Sequence, residues 1–238
     1  MPTTRSGKQL DATARVTKPR RDKKTAPKPP QDTQTADAGP STSPALFFWR
    51  ETDPHTGWLS QWYPCAFTDN DGVVYKTAEH YMMYQKALLF SDPYVGAQIL
   101  AAAHPRLVKA LGRKVASFDD KVWNRERERI VRDGTRFKFT RAVSEEGLKR
   151  GDAKDAPLVA PLTLRGLLLA TGDREIVEAS PMDRIWGVGF GPAKAEGARA
   201  RWGLNLLGKA LMVVRGSYRP RRLSRKARKH EDGAYEEP

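Results

Sequence analysis

Large apolar side chains first cluster at Leu46-Phe47-Phe48-Trp49, a run short enough for a strand. Asp69-Asn70-Asp71-Gly72 carries turn chemistry and is followed by Val73-Val74-Tyr75, so residues 63–76 read as a small hairpin. Beyond it the helical period dominates. Residues 78–90 place Met82, Met83, Leu89 and Phe90 in a stretch free of Gly and Pro. Asp92-Pro93 is an N-cap and first-turn pair that opens a helix through Ala103. His104-Pro105 separates a further helix that ends at Gly112, read as a C-cap. Asp119 or Asp120 begins a longer helix through Trp123, Ile130 and Val131, with an interruption expected at Gly134 before Phe137 and Phe139. Residues 162–170 are strongly apolar and stop at Thr171-Gly172. Glycines at 187, 189, 191, 197 and 203, mixed with Trp186 and Trp202, read as a long ordered loop. Residues 204–214 close the domain as a buried helix. The pattern predicts a mainly α, compact multihelical domain with a small antiparallel β element.

Charge divides the chain. Of 238 residues, 42 are Lys or Arg and 28 are Asp or Glu, a net charge of +14. Residues 1–44 hold nine Lys/Arg against four Asp/Glu and seven of the 17 prolines, with almost nothing large and apolar. Such a segment cannot bury enough surface to offset its chain entropy, so it is expected to be a disordered basic tail. Residues 219–238 are expected to be a second such tail, of mixed basic and acidic character. Residues 45–218 form the folded domain, with a net charge near +6. The cluster Lys18-Pro19-Arg20-Arg21-Asp22-Lys23-Lys24 suits nuclear import or attraction to a phosphate backbone. A tail that only keeps the protein in solution fits equally well. No run reaches the roughly 18 apolar residues of a membrane span, and none follows the start as a signal peptide would. An intracellular location, nuclear or cytoplasmic, is expected. Cys65 is the only cysteine, and the four histidines are scattered, so neither a disulfide framework nor a structural zinc is expected.

Two stretches carry candidate chemistry. In Thr77-Ala78-Glu79-His80-Tyr81-Met82-Met83-Tyr84-Gln85-Lys86, positions 79, 82, 83 and 86 share one helix face. A carboxylate and an ammonium thus flank two methionines, either as charges snorkelling to solvent or as an acid and a base presented to a ligand. In Glu178-Ala179-Ser180-Pro181-Met182-Asp183-Arg184-Ile185-Trp186-Gly187-Val188-Gly189, Asp183 precedes Trp186, Gly187 and Gly189. That order suits close approach of a planar ligand, or a capping Asp before a tight turn with a core Trp.

Motifs in fixed order then resemble a known family. Leu59-Ser60-Gln61-Trp62-Tyr63-Pro64-Cys65-Ala66-Phe67 resembles an L-S-N-F-Y-P-x-x-F opening, and Thr77 to Lys86 resembles S-E-H-Y-F-Q-x-x-K. Gly112-Arg113, Trp123, Lys138-Phe139, Leu168-Leu169-Ala170-Thr171-Gly172, Val177-Glu178, Asp183-x-x-Trp186-Gly187-x-Gly189 and Asn205 to Met212 follow in order. Together they resemble the NADAR, or YbiA-like, family over roughly residues 46–217. Gln61 stands where Asn is usual, Trp62 where Phe is, Ala78 where Ser is, and Met82-Met83 where Phe-Gln is. Residues 145–161 look like an insertion.

The resemblance implies a compact, mainly α domain that hydrolyses N-glycosidic bonds without a metal or cofactor. Members release ADP-ribose from the exocyclic amino group of guanine in nucleic acid, or act on ribosylamino-pyrimidine phosphates of riboflavin synthesis. The first is the expected reaction, with ADP-ribosylated nucleic acid or nucleotide as partner, basic tails touching nucleic acid, no membrane, and a monomer. A module that binds ADP-ribose or a related ligand without turnover is the alternative. Breaking a C1′–N bond needs an acid for the leaving nitrogen and a negative group near the cationic sugar, roles that paired carboxylates fill in O-glycosidases. Glu79, on a half-apolar face, is the candidate acid/base, and Asp183 the group that stabilises the sugar or positions water. Lys86 is placed at a phosphate or as a Schiff-base nucleophile. Arg113 is assigned to phosphate, Trp62, Tyr81 and Trp186 to base stacking, and Asn205 to ribose hydroxyls or to an N-cap. Ser60 and Gly187 complete the expected substrate contacts.

Overall fold

A computed structural model describes residues 44–145 and 163–219. The two expected tails and the 145–161 insertion lie, but for their edges, outside the described residues. The chain opens with β1 (Leu46–Phe48), then a 3-10 turn (Gly57–Leu59), and a hairpin of β2 (Phe67–Thr68) and β3 (Val74–Tyr75). Four helices follow: α1 (Ala78–Leu89), α2 (Pro93–Ala101), α3 (Pro105–Gly112) and α4 (Asp120–Thr140). After them come α5 (Leu164–Ala170), β4 (Ile176–Glu178), α6 (Pro192–Ala195), a 3-10 turn (Glu196–Arg201) and α7 (Leu206–Ser217). The protein is mainly α with a two-stranded antiparallel ribbon, as the sequence predicts.

The helix starts follow from local chemistry. Thr77, Asp92, Asp119 and Thr163 each accept, through a side-chain oxygen, a backbone N–H one turn into the helix they precede. Pro93 and Pro105 occupy first-turn positions where the missing N–H has no cost. His80, inside the motif of α1, is buried and structural. Its Nε2 meets Ala102 O at 3.1 Å and its Nδ1 meets Thr77 Oγ1 at 2.8 Å. A carbonyl can only accept, so the ring proton sits on Nε2 and the threonine hydroxyl donates to Nδ1.

Three expectations change. Gly134 does not interrupt α4. It sits at a close crossing, where a Cβ would come within 2.4 Å of the Tyr81 ring. The glycine-rich stretch is only partly loop, since α6 and a 3-10 turn occupy 192–201. Lastly, β1 pairs in parallel with β4, Leu46 opposite Ile176 and Phe48 opposite Glu178, across nearly the whole domain. No local pattern announces a pairing between segments so far apart.

α1 is the hub, packed on α2, α3 and α4, while α7 packs on α4 and β4. Most of the buried apolar side chains form one core around Phe48, Phe67, Tyr75, Tyr81, Ile130 and Leu211. Lys138 of α4 enters that core only 2% exposed, and its Nζ donates to Trp58 O at 2.8 Å and Ser60 O at 2.7 Å. Burial pushes its pKa down to about 8, so at neutral pH it stays charged and ties down the backbone ahead of Trp62. Lys138→Met keeps the stem but leaves Trp58 O unpaired and Ser60 O with only the Tyr63 N–H. Denaturant melts are expected to show a loss of about 1–3 kcal/mol.

Candidate active site

A cleft of about 800 Å³ opens where the start of α1, the α3 helix, the segment after β1 and the loop after β4 converge. Glu79, Met82 and Met83 present three of the four predicted face positions of α1 to it. Ser60, Gln61 and Trp62 line a second wall, held by Lys138 beneath and by Glu79 N–H donating to Gln61 O at 3.0 Å. Arg106, Lys109 and Arg113 lie three and four residues apart on and just past α3, so one side of that helix presents three cations. The fourth wall is the loop Glu178–Trp186.

That loop is built by close approach. Gly187 packs so tightly that a Cβ would come within 2.6 Å of Glu178 O, and Val188 N–H donates to that same carbonyl at 2.9 Å. Asp183 Oδ1 accepts from Ile185 N–H and Trp186 N–H, both at 2.8 Å, which turns the chain and aims Trp186 inward. Asn205 stands beneath, buried, with a left-handed backbone (φ 51°). Its Oδ1 accepts from Glu178 N–H and its Nδ2 donates to Ile176 O, each at 3.0 Å, so it clamps the end of β4.

The floor is acidic and short of partners. Among the described residues four buried side-chain polar atoms have no hydrogen-bond partner, and three of them, Gln61 Oε1, Glu79 Oε1 and Glu178 Oε2, belong to residues of this cleft. Unpaired buried polar atoms are rare in native proteins because each keeps its full desolvation penalty. Their convergence marks where a ligand would supply donors. Burial pushes the Glu79 carboxyl up to about 7, against the pull of Lys109 and a hydrogen bond from the Trp62 side chain, with Asp183 adding to the rise. Glu178 is half-buried as a residue, yet its carboxyl end is sealed. Burial, then the neighbouring Asp183 and Glu79 carboxyls, push it up to about 8. Burial thus raises both carboxyls, and a charge on Glu79 adds to the rise at Glu178.

The cleft brings together Glu79, Asp183, Ser60, Trp62, Arg113 and Trp186 of the residues singled out in the sequence. The rest sit elsewhere. Lys86 points away from Glu79: its Nζ donates to Gly112 O at 2.7 Å and lies 4.0 Å from the centre of the Phe118 ring. Seven residues of helix span about 10 Å, enough to carry the ammonium past the cleft to the end of α3. Tyr81 belongs to the core, its ring 5.0 Å from Tyr75 and 5.7 Å from Phe137. Asn205 supports the floor from below, and Gly187 is buried behind the loop. Glu178, Arg106 and Lys109 are among the cleft residues that carry no signal in the sequence. Glu178 stood in a quoted motif without a role, and nothing local distinguishes its carboxylate from a solvated one. Among the described residues no group of three or more His, Cys, Asp and Glu is arranged to hold a metal, and no helix is long and apolar enough to cross a membrane.

Known proteins resemble this chain in sequence and in fold. The family model of the NADAR domain matches residues 47–219. A protein named N-glycosidase R617 of Acanthamoeba polyphaga mimivirus is 36% identical over 163 residues, 66% of this chain and 85% of that protein. One named N-glycosidase Npun_R5314 of Nostoc punctiforme is 32% identical over 174 residues, 73% of this chain and 92% of the other. The solution structure of Escherichia coli YbiA shares the fold, with a TM-score of 0.51 at 23% identity, over 81% of this chain and 90% of that one.

Proposed function

The chain belongs to the NADAR domain family, and we propose that its cleft hydrolyses a C1′–N glycosidic bond, releasing ADP-ribose from the exocyclic amine of guanine. The observation that carries the reading is the pair of buried carboxyls with unpartnered oxygens on the floor of a cleft rimmed by cations. A carboxyl held near pKa 7 keeps a proton to give at neutral pH, which a surface glutamate does not.

In this scheme Glu79 donates its proton to the departing nitrogen as the C1′–N bonding electrons move onto it. Water adds its oxygen to C1′ and passes a proton to the Asp183 carboxylate, whose charge also steadies the cationic sugar. The products are the free amine and the C1′ hydroxyl, and solvent returns the proton from Asp183 to Glu79. Trp62 and Trp186 offer ring faces for the base. Arg106, Lys109 and Arg113 offer guanidinium and ammonium donors to the two phosphates. Lys86 has no part, because it lies outside the cleft.

The test is release of ADP-ribose from a guanine-ADP-ribosylated oligonucleotide, followed by mass spectrometry, with Glu79→Gln beside the wild-type chain. Release by the wild type and not by the variant is expected. Release by neither, with turnover of a ribosylamino-pyrimidine phosphate, would replace the guanine substrate but keep the chemistry. Tight binding of ADP-ribose with no turnover of either would make the protein a binding module.

The electrostatics add a signed prediction. Lys109 is the strongest influence holding the Glu79 pKa down, so Lys109→Met lets it rise. Since the acid must be protonated, the alkaline limb of kcat moves to higher pH. A limb that stays put, or moves to lower pH, would separate Lys109 from the acid.

A further inference from the structure

Gln61 ends in an oxygen that the fold leaves unused. Its Oε1 is buried and without a hydrogen-bond partner, on a residue that lines the cleft. A buried acceptor keeps its full desolvation penalty until a donor reaches it. The segment that carries it is held firmly. Gln61 O accepts the Glu79 N–H at 3.0 Å, Trp62 N–H donates to Ser60 Oγ at 3.2 Å, and Ser60 O accepts from the buried Lys138 ammonium at 2.7 Å. Residues 60–62 are thus pinned to α1 on one side and to α4 on the other. The two other unpaired oxygens of the cleft, on Glu79 and Glu178, belong to carboxyls, which become donors by taking up a proton. An amide oxygen only accepts, so a donor brought by the ligand is what satisfies it.

Position says which donor that is. Gln61 immediately precedes Trp62, whose ring is fixed edge-to-face against His104, centroids 6.1 Å apart, and offers its face to the base in the reading above. Asp183, which steadies the sugar, stands on a different wall, so the donor for Gln61 comes from the leaving base. Glu79, tied to Gln61 through the backbone, serves the nitrogen that leaves, and Gln61 Oε1 meets the ring position next to that nitrogen. In guanine this neighbour is N1, which carries a hydrogen. In adenine and cytosine the ring nitrogen beside the exocyclic amine is a bare acceptor. Two lone pairs then face each other, and a site built to bond an N–H rejects such a ligand because its own polar group stays unpaired.

We infer that Gln61 is a specificity-determining residue of the cleft: its Oε1 accepts the ring N–H beside the amine that leaves, and so selects leaving bases with a hydrogen at that position over those with a bare nitrogen. The inference rests on the glycosidase reading for the place of the amine, and a binding measurement separates the two. Guanosine monophosphate and 2-aminopurine riboside monophosphate, which keeps the amine but lacks the N1 hydrogen, are titrated by calorimetry into wild type and Gln61→Met. Wild type is expected to bind the guanosine compound about tenfold or more tightly, the cost of leaving one buried acceptor unpaired. Gln61→Met keeps the length of the side chain without its oxygen and is expected to lose most of that preference. A preference of the same size in the variant, equal affinities in wild type, or no binding of guanosine monophosphate overturns the inference. Tighter binding of the 2-aminopurine compound also overturns it, since the amide would then present its NH₂. The variant's melting temperature is expected to stay level or rise, because the lost oxygen has no partner in the fold. A fall of several degrees would show that oxygen paired within the protein, against the inference. Hydrolysis tells the two readings apart. Equal kcat/KM on guanine-linked and 2-aminopurine-linked ADP-ribose keeps the reaction and removes Gln61 from recognition. Discrimination in binding with no release of ADP-ribose by wild type keeps the Gln61 assignment and sinks the reaction.

Discussion

Glu79→Gln is expected to lower turnover about 10²- to 10⁴-fold while ligand affinity changes only a few-fold, the range typical of removing a general acid. The amide keeps the shape and one acceptor oxygen but has no proton of suitable acidity. The same substitution is expected to stabilise the fold at alkaline pH. In the unfolded chain this carboxyl has its ordinary value of 4.5, and in the folded protein it is pushed up to about 7. Between those values the folded state holds the proton and the unfolded state does not, so wild-type stability falls as pH rises through that window. The full shift corresponds to about 3 kcal/mol, an upper figure because buried groups relax on ionising. Glutamine never ionises, so the variant is expected to gain about 1–3 kcal/mol over wild type at pH 8 and little at pH 5, read from urea midpoints. A variant less stable than wild type at pH 8 would mean that Glu79 is ionised and well paired. Loss of activity together with gain of stability is the signature of a residue kept for chemistry at a cost to the fold.

Asn205→Ala is expected to cost about 3–7 kcal/mol and to depress kcat as well. The alanine leaves Glu178 N–H and Ile176 O without their side-chain partners, at about 1–3 kcal/mol for each buried group. It also places a Cβ-bearing residue with no side-chain polar group in the left-handed region at φ 51°, worth about 1 kcal/mol more. Asn205→Gly relieves the backbone cost but not the hydrogen bonds, so it is expected to recover roughly that last part, about 1 kcal/mol, with kcat still low. Full recovery of kcat by glycine would show that the side chain does not hold Glu178. Packing adds a constraint on the same spot. Gly208, one turn on, lies where a Cβ would come within 2.1 Å of Ile176 O, so helix and strand touch backbone to backbone.

Local features were legible from the chain. Thr77, Asp92 and Asp119 cap the helices they precede, because a cap is a contact between residues two or three apart. The turn at 69–72 yields the β2–β3 hairpin for the same reason. Glu79 with Met82 and Met83 was readable as one helix face, and that face does line the cleft. Periodicity could not say where the face ends as a site. Lys86 has the right spacing, yet a long flexible stem let its ammonium find Gly112 O and the Phe118 ring instead. Gly112 and Gly134 read as a helix end and a helix break. Both serve close packing, against Met83 and Tyr81, which is a property of two segments at once.

The sequence by itself determined the helical character, the helix starts, the hairpin, and one acid on an apolar face, because each depends on residues within about a turn of one another. The tertiary structure alone decided that Glu178 joins Glu79, and that Arg106 and Lys109 face them. It also set the parallel β1–β4 pairing that puts the two acids on a common floor. The physical reason is desolvation. A carboxyl's proton affinity depends on the water it has lost and the charges brought near it, and segments a hundred residues apart must meet before either is defined.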